Sequence, residues 1–237
     1  ELEAGLGTWA IDGEGNVTQA LEVSKVSRDN TGTVTRAPVA TVTNNWLITP
    51  RTSILSGGDR DIGRLNLDIS TPSGNETKPD VGVGASNPDG AFLAFNLDDS
   101  PFGDGLLVAA GQAASAAPET GRYRVQGVSM GISGGTNELQ HFDNAELVIN
   151  GATATLSGEA ISVVNTVNGN EVSTPAELIL DTTLAYAQTG PGTVSFTSGN
   201  LVLDGFYTDD HSQLYLRLNR SGTGPQAVGL LLATRIP

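Results

Sequence analysis

Apolar and polar residues alternate along most of this chain with a period of two, not 3.6. Leu65, Leu67 and Ile69 are separated by Asn66 and Asp68, and Leu93, Phe95 and Leu97 share one face. Leu178, Leu180, Leu184 and Tyr186 fall on one face, as do Leu214, Leu216 and Leu218, which alternate with Tyr215, Arg217 and Asn219. Such alternation marks half-buried strands, because successive side chains point to opposite faces of a pleated sheet. No stretch keeps helical spacing over ten or more residues. β-branched runs at 31–35 and 39–43 extend the pattern, since such side chains fit a pleated surface.

Turn chemistry punctuates these runs. Asp12-Gly-Glu-Gly-Asn16 predicts a hairpin tip, Asn44-Asn45 a turn, Gly190-Pro-Gly192 another, and Val167-Asn-Gly-Asn170 a fourth. Asn150-Gly151 is the strongest hairpin signal, because a two-residue turn needs positive φ and Asn-Gly supplies it cheaply. Residues 71–88 hold Pro72, Pro79 and Pro88 with Gly74, Gly82 and Gly84, which predicts a long loop around one short edge strand.

The two halves echo one another. Gly7-Thr-Trp-Ala-Ile-Asp-Gly13 and Gly121-Arg-Tyr-Arg-Val-Gln-Gly127 are both Gly-x-aromatic-x-aliphatic-x-Gly. Gly105-Leu-Leu-Val-Ala-Ala-Gly111 and Gly229-Leu-Leu-Leu-Ala-Thr-Arg235 close the halves alike. The expected fold is therefore all-β and mostly antiparallel, a tandem duplication of a unit of seven or eight strands. It would form two small barrels, or one larger barrel or sandwich made of two halves. The first repeat is expected over 1–112 and the second over 121–237. Residues 113–120, Ala-rich and broken by Pro118, are expected to be a linker, with a short helix as the competing reading. Gly7-Thr-Trp9 at the opening strand and Arg235 on the closing strand resemble the Gly-x-Trp and terminal Arg of lipocalin- and avidin-like barrels. Tyr123 stands where the second repeat would have Trp, and Gly111 where the first would have Arg. The resemblance implies a barrel and transfers no ligand-binding residue.

Charge narrows the partners. With 26 acidic and 12 basic residues the net charge is −14, so nucleic acid and anionic lipid would be repelled. The absence of Cys excludes disulfides, thiolate metal sites and Cys nucleophiles. No apolar run is long enough for a membrane-spanning helix. An outer-membrane barrel is disfavoured by the lack of aromatic girdles. The first residue is Glu1 and not Met, so the chain is expected to be processed or trimmed, and any signal peptide or lipid-anchoring Cys would lie upstream of it.

Candidate chemistry is sparse. Gly127-Val-Ser129-Met-Gly131 spells Gly-x-Ser-x-Gly, but a nucleophile elbow needs a strand, a turn and a helix, and Ser129 lies within a β run. His141 and His211 are the two histidines, each beside carboxylates, so a hydrolase would have to use Ser129 or His211. Asp12, Glu14 and Asn16 begin like a calcium loop but lack its Gly and its closing Glu. Asp98, Asp99 and Asp104 flank a Pro-Phe-Gly turn and are the candidate oxygen ligands for calcium, the one cofactor left open. Tyr207, His211 and Tyr215 are the candidate ligand-binding residues, Tyr215 lying on the face opposite the three leucines. The expected function is non-enzymatic: a secreted or cell-envelope module, the soluble part of a bacterial lipoprotein among its forms, that binds a partner protein or a small ligand in a barrel mouth. The alternatives are the hydrolase and a calcium-stabilised, adhesin-type structural domain.

Overall fold

The computed structural model describes residues 1–12, 14–50, 64–69, 81–86, 92–99, 103–166 and 176–237. Every regular element among them is a strand. The first eight are β1 (Leu2–Ile11), β2 (Asn16–Arg28), β3 (Val34–Arg36), β4 (Ala40–Pro50), β5 (Arg64–Ile69), β6 (Val81–Ser86), β7 (Phe92–Asp99) and β8 (Gly103–Ala110). They form one sheet in the order β1-β2-β4-β5-β6-β7-β8, with β3 pairing β2. The next eight are β9 (Thr120–Ile132), β10 (Thr136–Asn150), β11 (Thr153–Thr166), β12 (Ala176–Gly190), β13 (Thr193–Ser198), β14 (Leu201–Tyr207), β15 (Gln213–Arg220) and β16 (Gln226–Arg235). Each pairs antiparallel with the next, and β16 returns to β9, closing an eight-stranded barrel.

The all-β, antiparallel expectation holds, and a barrel is present in the second half. Two local expectations are overturned. Asn44-Asn45 does not turn, because β4 runs unbroken from Ala40 to Pro50 and finds its partners in β2 and β5. Asn tolerates extended backbone, so a turn-prone pair yields when its flanks pair with other strands and not with each other. The strand within 71–88 is β6, and it lies between β5 and β7, not at an edge. The expected turn at 167–170 lies outside the described residues.

The chain divides into two compact units. One comprises Glu1–Leu6, Glu22–Ala40 and Gln112–Pro237, and the other Gly7–Leu21 and Thr41–Gly111. In the second unit β4 to β8 form an antiparallel ladder, with Trp46 opposite Ile69, Leu67 opposite Gly82 and Asp98 opposite Asp104.

In the first unit the barrel wall sorts its residues by parity. Tyr123 and Val125 of β9, Leu203 and Tyr207 of β14, and Leu214, Leu216 and Leu218 of β15 point inward and are buried. On β10 the inward set switches from even to odd, Phe142 first and then Ala145, Leu147 and Ile149. The switch occurs where the register slips between Phe142 and Asn144. One extra residue there re-phases the strand, which is what a β-bulge does. Gly158, opposite the bulge at φ +104, brings its backbone so close that a Cβ would lie 2.3 Å from the Asn144 carbonyl oxygen. The interior is thus filled with side chains, Phe196, Tyr207 and Tyr123 among the largest, as eight-stranded barrels of this size allow.

The N-terminal segments of the same unit lie on the barrel's outer wall. Ala4 and Val26 pack with Ile132 and Val228, which face outward from β9 and β16. Arginines fix this arm. Arg36 donates through Nη2 to the carbonyls of Arg220 (2.7 Å) and Ala227 (3.2 Å), through Nε to Gln226 Oε1 (3.2 Å), and through Nη1 to Asn219 Oδ1. Arg28 Nη1 donates to the Ser133 and Thr136 carbonyls at the β9–β10 turn. Arg217, 2% exposed, donates to the Glu22 carbonyl at 2.5 Å and to Asp204 Oδ2 at 3.2 Å.

Candidate binding surfaces of the barrel

One end of the barrel is covered by residues 112–119, which include all but the last residue of the stretch expected as a linker, 113–120. Ala113 and Ala117 are buried in the core. The rim of the barrel binds the backbone of this strap repeatedly. Gly192 N donates to the Ser115 carbonyl (2.8 Å), Gln188 Nε2 to that of Ala117 (2.8 Å), the Tyr186 hydroxyl to that of Pro118 (2.9 Å), and Gly151 N to that of Glu119 (2.9 Å). Ala113 N in turn donates to the Tyr207 carbonyl at 2.8 Å. Three tyrosines stand beneath. The Tyr123 and Tyr207 ring centroids are 5.8 Å apart, and both residues are 0% exposed. Burial first, and then the neighbouring Tyr123 phenol, push the Tyr186 and Tyr207 phenols up from the usual tyrosine range.

Tyr207 and His211, two of the three candidate ligand-binding residues, come together at this end. The His211 imidazole meets the Tyr207 ring edge-on, centroids 5.6 Å apart, and its Nε2 lies 3.2 Å from Ser115 Oγ. His211 sits in the β14–β15 turn with φ +56, the left-handed region. That turn is held by Asp210, whose carboxylate accepts from the Ser212 backbone N–H and hydroxyl and from the Thr208 hydroxyl. Those bonds, the Ser212 backbone bond first, hold its carboxyl down to about 2. Tyr215 is elsewhere: it faces outward, stacks on Phe206 at 5.4 Å, and donates to Gln213 Oε1. An open depression of about 460 Å³ beside the strap is lined by Ala114, Ala116, Gln188, Thr189, Gly190 and Pro191.

The opposite end of the lumen is polar. Ser129, 1% exposed, points inward and donates to Gln140 Oε1 at 3.2 Å. Gln140 Nε2 and Ser162 Oγ both donate to Glu138 Oε1, and Arg220 Nη2 pairs with Glu138 Oε2 at 2.6 Å. Ser129 therefore belongs to a strand-borne hydrogen-bond network inside the barrel. Along the ladder Ser129 lies opposite Gly229, whereas Gln213, just after His211, lies opposite Thr234 and that opposite Arg124. Five strand positions, roughly 17 Å, separate the two levels, so the structure does not bring Ser129 and His211 together. His141 lies on the outer wall with Nδ1 3.0 Å from Asp143.

Exposed apolar residues gather on the outer wall. Across β16, β9, β10 and β11 the register aligns Leu230, Val128, His141 and Ile161 in one row, and Val228, Met130, Leu139 and Val163 in the next. Paired residues in antiparallel strands share a face, so the two rows form one band. Val128, Met130, Leu139, Ile161 and Leu230 are 38 to 46% exposed, whereas Val228 is covered by the arm. Sequence reasoning missed this band because its members lie on four strands. Strand parity would have placed each one outward, had the register been known.

The backbone places Asp98 opposite Asp104 and Asp99 opposite Gly103; the side chains of all three aspartates lie outside the described residues. Among the described residues no three His, Cys, Asp or Glu side chains gather as a metal site. Asp12 accepts instead from the backbone N–H groups of Glu14 and Asn16, an ordinary Asx turn. Among the described residues no helix is long and apolar enough to cross a membrane. No family model, no curated protein and no solved structure matches the chain.

Proposed function

We propose that the chain is a non-enzymatic β module of the cell exterior, secreted or held on the envelope, and that it binds a partner protein through the barrel's outer wall. The observation that carries this is the contrast between lumen and wall. The lumen is filled by tyrosines, leucines and Phe196 at one end and by the Ser129, Gln140, Glu138 and Arg220 network at the other. Small-ligand sites are instead concave cavities that bury most of the ligand. The wall offers an apolar band with polar neighbours, the arrangement that marks protein-contact surfaces. The arm already occupies the adjoining part of that wall, through Ile132 and Val228. The strong negative charge fits a protein partner better than a nucleic acid or an anionic membrane.

A tandem duplication is part of the same proposal. The two Gly-x-aromatic copies fall in β1 and β9, and each half contributes eight described strands. In the second half Arg235 lies directly opposite Tyr123, so the strand-opening aromatic and the strand-closing Arg are neighbours in one barrel. A hydrolase built on Ser129 has less to support it, with no imidazole beside the hydroxyl and Gln140 as its acceptor.

Met130 is the one methionine of the sequence and lies in the band, which makes the test direct. Photo-methionine incorporated at that position, followed by irradiation of the cells that produce the protein, is expected to trap one discrete protein adduct. Leu139→Asp, which places a charge beside the probe, should abolish it. An absent adduct, or one indifferent to Leu139→Asp, would contradict docking at this wall.

A further inference from the structure

The apolar band of the outer wall has an acidic border. Followed from β12 to β15 along one row of the ladder, the paired residues are Glu177, Ile161, His141, Val128, Leu230 and Arg217. The row thus meets a carboxylate where it reaches β12. It meets another at its far end, because Arg217 is capped by the arm: its guanidinium donates to the Glu22 carbonyl, and the Glu22 carboxylate, 64% exposed, stands over it with Oε2 3.6 Å from Nη2. In the neighbouring row Glu159 lies opposite Ile179, which is 81% exposed. At the β10 bulge Asp143, half exposed, lies beside His141. The arginines of β9 are placed differently. Arg122 is bonded to Glu146 at 2.8 Å, and Arg124 lies opposite that same Glu146, four positions or roughly 13 Å along the strand from Val128.

Protein interfaces exclude water at an apolar centre and keep their charges at a hydrated rim, where those charges choose the partner and speed encounter more than they add affinity. A second copy of this chain would bring the same carboxylates and a net charge of −14 to the contact, so like charges would meet across it. Given that the wall docks a protein, as proposed above, we infer that the partner is a different protein whose contact face is apolar at its centre and bordered by lysines or arginines. Those basic side chains meet Glu22, Asp143, Glu159 and Glu177, while the apolar centre covers Val128, Met130, Leu139, Ile161 and Leu230. The arm takes part in recognition through Glu22, which adds a carboxylate where the barrel wall itself has Arg217.

Photo-methionine at position 130 tests this when the border is changed and the band is left intact. Glu159→Lys with Glu177→Lys should cut the yield of the Met130 adduct on the producing cells at least several-fold, and Glu159→Gln with Glu177→Gln should cut it less. Glu119→Lys with Asp209→Lys changes the net charge by the same amount as the first pair, at the strap end of the barrel, and should leave the yield unchanged. All four positions are exposed, so each variant should unfold in urea as the parent chain does. Higher salt during irradiation should lower the parent's yield, because screening shortens the reach of the border charges. An adduct that withstands the Glu159 and Glu177 changes, that falls equally with the control pair, or that proves to be a second copy of this chain or a lipid, would overturn the inference. If the yield withstands those changes but Leu139→Asp abolishes it, the wall still docks a protein and only the basic border is wrong. No adduct from the parent chain would remove both.

Discussion

Ser129 shows how far a residue's surroundings decide its role. Its motif letters are those of a nucleophile, but the side chain points into a closed lumen and donates to Gln140, which is 5% exposed. Ser129→Ala should therefore cost about 1 to 3 kcal/mol in urea denaturation, because Gln140 loses its donor in a place water does not reach. An esterase activity abolished by that substitution would instead make Ser129 a nucleophile. The β context that argues against an elbow is legible in the sequence, whereas the pairing with Gln140 eleven residues away is not. The same limit separates Tyr207 from Tyr215. Parity with Leu203 places Tyr207 inward, and parity against Leu214 and Leu216 places Tyr215 outward, so the division of that trio was readable. The Glu138–Arg220 pair spans 82 positions and left no local mark.

Elements tell a parallel story in the strap and the arm. The hairpin turns at Asn150-Gly151 and Gly190-Pro-Gly192 follow from turn chemistry and appear where the sequence puts them. That those turns also bind residues 112–119 does not follow, because an Ala-rich, Pro-containing stretch looks the same whether it is free or inserted. Gly192 has φ +63, and a Cβ there would come 2.2 Å from the Ala113 carbonyl oxygen. Gly192→Ala should accordingly lower stability by about 1 to 3 kcal/mol and raise hydrogen exchange at the Ala113 amide. Unchanged exchange would mean the strap is not held by this turn. For the arm, Arg36→Ala should cost about 2 to 4 kcal/mol by urea denaturation, since four acceptors lose one donor group. Arg36→Lys should rescue little, because an ammonium cannot reproduce the planar fork. The β7–β8 ladder puts Asp98 opposite Asp104. Equal melting temperatures in chelator and in millimolar calcium are expected, and a calcium-dependent rise would assign that aspartate group a cation.

For the whole molecule, net charge and the use of the basic residues belong together. Four of the twelve basic residues, Arg28, Arg36, Arg217 and Arg220, are committed to contacts within the barrel unit, in a chain of net charge −14. Stability should respond to acid in a definite window. Asp210 is held down to about 2 from an ordinary 3.8 by bonds from Ser212 and Thr208, and Asp29 and Asp12 are lowered by similar turn bonds. A depressed carboxylate contributes stability that is present above its unfolded value and lost as pH falls toward its folded one. Melting temperature should thus hold down to about pH 4 and decline between about 4 and 2; a flat profile across that range would show that these turns do not stabilise the fold. The all-β class and its antiparallel strands could be read from alternation alone. Barrel closure could not, because it depends on the β16–β9 pairing between residues about a hundred positions apart.

Met130 also supplies the most direct test of whether the outer wall is a docking surface. A pulse of hydroxyl radicals converts an exposed methionine to its sulfoxide, and this chain has one methionine, 46% exposed in the centre of the band. The oxidation rate of Met130 should be compared between the purified chain and the protein in place on the cells that produce it. At least several-fold protection in place is expected, and it should disappear in Leu139→Asp. Equal oxidation in both settings would mean that nothing covers the wall.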